Sequence, residues 1–159
     1  MRTVEIPVFQ FSELSDRAKD RAREWWRNGA EYPWHGDCRA SITAFCDHFG
    51  VTLRDWSIGA HCPFDYSTDA EPRHFRGMKL RDFSREHMPT GYCLDCDLWM
   101  TFYDTFKKTG DAKLAFDDAI HAGFIAWQRD IEWHLSDESV DESIEINGYE
   151  FDENGDFFN

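Results

Sequence analysis

Fourteen Phe, seven Trp and five Tyr in a chain of 159 residues set the first constraint on what this sequence can fold into. That much aromatic surface does not stay in water, since each ring side chain buries roughly 150–250 Å² when it packs. A chain of this length buries about 68–70% of the surface its unfolded state exposes, so it needs no staples to hold a core. A disordered tail is excluded, and one packed domain spanning residues 1–159 is expected. The five cysteines, an odd number with no secretory context, read as reduced thiols in a cytosol.

Charge narrows the partners. The chain holds 31 Asp and Glu against 17 Lys and Arg, a formal net charge of −14. Such a surface repels phosphates, so direct nucleic-acid binding is not expected. No apolar run approaches the roughly 18 residues that would cross a membrane. The opening MRTVEIPVFQF is too short and too polar for a secretory signal, so no membrane partner is expected.

Periodicity divides the chain into elements. Val4, Ile6 and Val8 alternate through Thr3–Phe11 and predict a strand with one buried face, held to an edge or a bend by Pro7. Leu14, Ala18, Ala22 and Trp25 then recur at helical spacing, with Ser12 or Ser15 as the cap and Asn28-Gly29 as a left-handed stop. A second helix is predicted over about 37–49, with Cys38, Ile42, Phe45, Cys46 and Phe49 inward and Gly50 ending it. Residues 51–60 read as extended, with a change of phase at Arg54-Asp55 that marks a bulge. Residues 61–91 give little pattern beyond a short strand near Phe75–Leu80; a loop so long either carries function or hides an element. Helices follow over about 92–108, 111–135 and 137–146, the last capped by Ser136, and residues 149–158 read as a closing hairpin around the turn 152–155. The class is α+β: four to five helices on a small, mostly antiparallel sheet. Trp25, Trp56, Trp99 and Trp127 fit core positions, whereas Trp34 and Trp133 are candidates for a contact surface.

The acids are not spread evenly. Residues 129–159 carry eleven carboxylates and one base, Arg129, which places −10 of the net charge in a strongly acidic helix-hairpin segment. Asp137, Asp141 and Glu145 form one row at helical spacing, and Glu138 with Glu142 forms a second. Glu150, Asp152 and Glu153 extend the field into the hairpin. Two readings fit this array. It is a solvated face that keeps an aromatic-rich domain soluble, or a patterned negative surface that imitates a nucleic-acid backbone and enters a basic groove on another protein. Under the second reading Trp133 and Tyr149 would anchor the contact. The opposite charge inside the chain is the cluster Arg73, Arg76, Arg81 and Arg85, with His74 and His87, and pairing between this cluster and the acidic tail is the simpler expectation for it.

Metal and catalytic signatures are incomplete. Cys93 and Cys96 form a CxxC, the weak candidate for a metal site, but no second ligand pair stands at a standard zinc spacing. Cys38 and Cys46 fall on the apolar stripe of the second helix, where free Cys acts as a small hydrophobe. No HExxH, GxSxG or equivalent motif is present, so no catalytic residue is assigned, no cofactor is expected and a non-enzymatic role is favoured.

The two ends of the chain carry a resemblance. FSELSDRAKDRAREWW, Phe11 to Trp26, and SDESVDESIEINGYEFDENG, Ser136 to Gly155, resemble the start and close of small acidic accessory proteins of tailed bacteriophages, some of them labelled antitoxin-like. These segments cover less than a quarter of the chain. The resemblance implies a phage or prophage product in the cytoplasm of a bacterial host. Proteins of that setting often block CRISPR effectors or restriction enzymes, so the expected partner is a host protein with a basic nucleic-acid-binding surface. An antitoxin-like partner of a single toxin and a small Cys/His metal-binding protein are the alternatives.

Overall fold

The computed structural model describes residues 5–158. In chain order the elements are β1 (Phe9–Gln10), α1 (Asp16–Gly29), α2 (His35–His48), β2 (Leu53–Ser57), β3 (Asp65–Thr68), α3 (Leu94–Thr109), α4 (Ala112–His134), α5 (Asp137–Asn147) and β4 (Glu150–Phe151). Five helices and a few antiparallel strands make the architecture α+β. The strands do not join in the one sheet expected; they form two two-stranded ribbons, β1–β4 and β2–β3. The chain gathers into two compact units, one made of the stretch up to Tyr32 together with that from Glu132, the other of Pro33–Ile131.

In the first unit, α1 begins where the Ser15 hydroxyl accepts the Ala18 N–H at 3.3 Å, filling a bond the helix start lacks. Its end is not the left-handed stop expected at Asn28-Gly29, because the chain leaves through Ala30 in an extended conformation. Ala18 and Ala22 are small enough to let α5 lie close, and they pack with Phe11, Leu14, Val140, Ile144 and Phe151. Trp25 is half-buried rather than fully enclosed: Phe157 stacks on it at 4.2 Å, with Tyr149 and Phe151 at its edges. Trp26 is also half-buried and rests beside His134. Gly155 has φ +86°, and a Cβ there would lie 2.1 Å from the Ala18 carbonyl oxygen, so no other residue allows the C-terminal turn to sit on α1.

The N-terminal strand is much shorter than its alternation predicts. Thr3 and Val4 lie outside the described residues, Ile6 and Val8 are exposed, and pairing is confined to Phe9 with Phe151 and Gln10 with Glu150. The closing hairpin is present in part. β4 pairs mainly with β1, while the bridge from Phe151 to Phe157 and the Phe158 N–H to the Glu150 carbonyl bring the last residues back.

In the second unit, α2, α3 and α4 enclose an aromatic core. Phe45 stacks on Phe116 and meets Trp99 edge-on at 4.9 Å, and Trp99 and Trp127 are fully buried. The apolar stripe expected for α2 is buried throughout, and Gly50 ends the helix at φ +67°. The bulge expected near Arg54 is present as a register shift between Leu53 and Trp56. The ribbon lies on α4, with Tyr66 flat against Phe124 at 4.6 Å and half-buried Trp56 beside Trp127 at 5.0 Å.

The segment 61–91 hides an element. β3 occupies residues 65–68, and the strand expected at Phe75–Leu80 is absent: Pro72–Phe75 and Leu80–Asp82 are single 3₁₀ turns. Phe75 and Phe83 pin the segment to Phe116 and Phe102. Buried Asp95 fixes its end, taking the N–H groups of Thr90 and Gly91 and the Thr90 hydroxyl on one oxygen at 2.9–3.0 Å. No helix among the described residues is long and apolar enough to cross a membrane.

Candidate functional site

The acidic helix α5 is held by its ends and one face. The Ser136 hydroxyl accepts the Ser139 N–H at 3.3 Å, and Gly148 ends the helix at φ +64°. Val140 and Ile144 are fully buried against α1 and fix the rotation of α5 about its own axis. That rotation decides which carboxylates can meet another molecule.

The row Asp137–Asp141 faces α1 and is neutralised there. Arg23 places a fork on Asp141, with Nε and Nη2 each donating at 2.7 Å to separate carboxylate oxygens. Its Nη1 donates to Asp20 at 2.8 Å and lies 3.9 Å from Asp137. The guanidinium also lies 5.6 Å from the Phe11 ring centre. Arg27 donates to Asp137 and, through Nε, to the Leu135 carbonyl at 2.9 Å. The Asp141 hydrogen bond holds the Arg23 proton even more firmly than usual. The hydrogen bond from Arg27, helped by the charge of Arg23, holds Asp137 below the ordinary carboxylate range. Fork geometry of this kind is stronger and more directional than a single contact. These two aspartates therefore act within the fold, tying α5 to α1.

The hairpin acids are partly absorbed as well. Asp152 accepts the N–H groups of Asn154 and Asp156 at 2.8 and 3.0 Å, which lowers its pKa and shapes the turn. Asp156 pairs with Arg21 at 2.8 Å. Glu150 is half-buried in β4, and Tyr149 is half-buried against Trp25.

What remains outward is a different grouping from the two rows expected. At 100° per residue, Glu138, Glu142 and Glu145 fall within about 60° of one another around the axis. All three are exposed and have no cationic partner among the described residues. Ile146, 76% exposed, flanks this stripe, and Trp133 in the last turn of α4 is 51% exposed. Glu153 is exposed on the C-terminal turn. Of the ten expected contact residues, Glu138, Glu142, Glu145, Glu153 and Trp133 are exposed without an ion pair among the described residues.

Three arginines of the basic cluster pair with acids of their own unit. Arg73 lies 3.0 Å from Glu71, Arg81 is 4.0 Å from Asp82, and Arg85 forks onto Asp104 at 2.9 and 3.0 Å, all within the second unit. Trp34 is exposed. Among the described residues no three His, Cys, Asp or Glu side chains gather around a possible metal position. Cys38 and Cys46 are buried, and burial pushes the Cys46 thiol up to about 12, well out of reactive range. Cys93 and Cys96 are exposed at the start of α3.

Sequence reasoning missed Arg23 and Arg27, the residues that select which acids are free. Their spacing of four on one helix was the available signal, since it matches the spacing of Asp137 and Asp141. Comparison with protein-family models, with curated proteins and with solved structures found no match for this chain.

Proposed function

We propose that this protein is a non-catalytic inhibitor that docks the outward face of α5 onto the basic nucleic-acid-binding surface of a host defence protein, in the manner of an anti-CRISPR or anti-restriction factor. The observation that carries the reading is the stripe Glu138, Glu142 and Glu145, exposed and without a counter-ion while the neighbouring Asp137 and Asp141 are clamped by arginines. Like charges at this spacing cost each other about 0.2–0.5 kcal/mol per pair on an isolated helix. A basic groove relieves that repulsion and gains fast, salt-sensitive association. Glu153 extends the negative field, and Trp133 supplies an amphipathic ring of the kind that anchors interfaces. The resemblance of the chain ends to phage accessory proteins supports a bacterial host and its cytoplasm as the place of action.

The test is plating of a targeted phage on bacteria that carry a CRISPR or restriction system and express the protein. Wild type should restore plaques, and the triple variant Glu138→Lys, Glu142→Lys, Glu145→Lys should lose that protection while keeping the same thermal midpoint. Asp141 is left intact, because reversing it would break the Arg23 clamp and confuse docking with folding. Full protection by the triple variant contradicts the reading.

A second reading rests on apolar exposure. Trp133 and Ile146, near opposite ends of α5, each expose an apolar side chain of the kind an antitoxin-like partner of one toxin would use. Rescue of growth from a toxin encoded beside this gene, abolished by Trp133→Ala and indifferent to the glutamate changes, would favour that role.

A further inference from the structure

The start of α3 brings together sulfur atoms that the acidic surface does not involve. Cys93 is the residue before α3 and already has helical dihedrals, φ −57° and ψ −29°. Cys96 is one turn on, so the two side chains leave the same side of the helix with their Cβ atoms about 5–6 Å apart. Across from them the Met88 thioether lies 3.9 Å from the Cys96 thiol. All three residues are exposed and open to solvent. Met100, four residues beyond Cys96 on the same face, is also exposed and lines a shallow depression with Cys96.

We propose that Cys93, Cys96 and Met88 form a binding site for a soft monovalent metal ion, Cu(I) in chemical class. Thiolate and thioether donors select Cu(I), whereas hard cations want oxygen and zinc sites use Cys, His and carboxylate. Metal–sulfur bonds of about 2.3 Å, the length found at zinc thiolates, place two sulfurs of one ion about 3.8–4.0 Å apart in tetrahedral or trigonal geometry. The Cys96–Met88 separation already matches that spacing. Among the described residues no three His, Cys, Asp or Glu side chains gather into a zinc-type ligand set, which leaves Met88 as the third donor. The loop that carries Met88 is anchored two residues later, where Thr90 is bound by Asp95 and by the Ser41 hydroxyl at 2.9 Å. The methionine is thus held near Cys96 before any ion arrives. Binding releases the two thiol protons to solvent and leaves one Cu(I) on two thiolates and a thioether, with no change of oxidation state.

The experiment is anaerobic titration of the full, reduced chain with Cu(I) against a chromophoric Cu(I) chelator, with X-ray absorption on the loaded protein. The expected result is one Cu(I) per chain, ligated by sulfur alone and not displaced by an equal concentration of Zn²⁺. Cys93→Ser should abolish retention, and Met88→Leu, a conservative change on the surface, should weaken it about 10–100-fold while leaving the thermal midpoint of the metal-free protein unchanged. No retained Cu(I), nitrogen or oxygen ligation, displacement by Zn²⁺, or a Met88→Leu affinity equal to wild type would each overturn the assignment.

Discussion

Arg23 decides more about this surface than any acid does. It is largely buried, with 17% of its side chain exposed, and it divides its donors among Asp141, Asp20 and Asp137. Replacing it by Ala leaves the half-buried Asp141 without its fork and should cost about 1–3 kcal/mol. Replacing it by Lys should recover little, since an ammonium cannot reproduce the two parallel bonds. Chemical denaturation of the three proteins checks this, and a Lys variant as stable as wild type would mean that charge alone suffices. The pair spans 118 residues of sequence, which is why local spacing could show the acids but not their partner. Gly155 teaches the same lesson: its sequence context announces a turn, but only the structure shows the Ala18 carbonyl beneath it.

At the scale of elements, legibility followed how local the determining physics was. The caps at Ser15 and Ser136, and the left-handed glycines 50, 110 and 148, lie where helical spacing and backbone freedom place them. The ribbons were harder. β3 reads Asp65-Tyr66-Ser67-Thr68, too polar to stand out as a strand, and gains its place because Tyr66 meets Phe124 on a distant helix. The reverse error arose before Phe9, where Ile6 and Val8 alternate as a strand would yet find nothing to cover them. The docking of α5 on α1 also carries a pH dependence. Asp137 is held below its ordinary pKa, so the native state keeps this charge at pH values where the unfolded chain has begun to take up a proton. That stabilisation is full above the unfolded carboxylate value, near pH about 4, and is lost as pH falls through the lower folded value. Thermal midpoints of wild type and Arg27→Gln should therefore differ at neutral pH and converge as pH falls below the ordinary carboxylate range. A constant difference across that range would show that Arg27 stabilises through the Leu135 carbonyl instead.

For the whole molecule, the 31 carboxylates behind a net charge of −14 meet two fates. Part is neutralised locally, as Arg85 does for Asp104 and Arg21 for Asp156. Of those left open, Glu138, Glu142, Glu145 and Glu153 sit on the outward face of α5 and the C-terminal turn, and composition alone indicated the segment but not the face. The class of fold, the helices and the acidic segment were legible because each is written in neighbouring residues. The outward stripe was not, because it depends on how Val140 and Ile144 seat the helix against Ala18 and Ala22. The outward face of α5 is tested by capture of the target from host lysate on the immobilised full chain at low salt, with duplex DNA added as a competitor. Wild type should retain a nucleic-acid-handling protein that DNA and high salt displace, and the Glu138, Glu142 and Glu145 lysine variant should fail to hold it. A target retained equally by that variant, or indifferent to DNA, would contradict docking through this face.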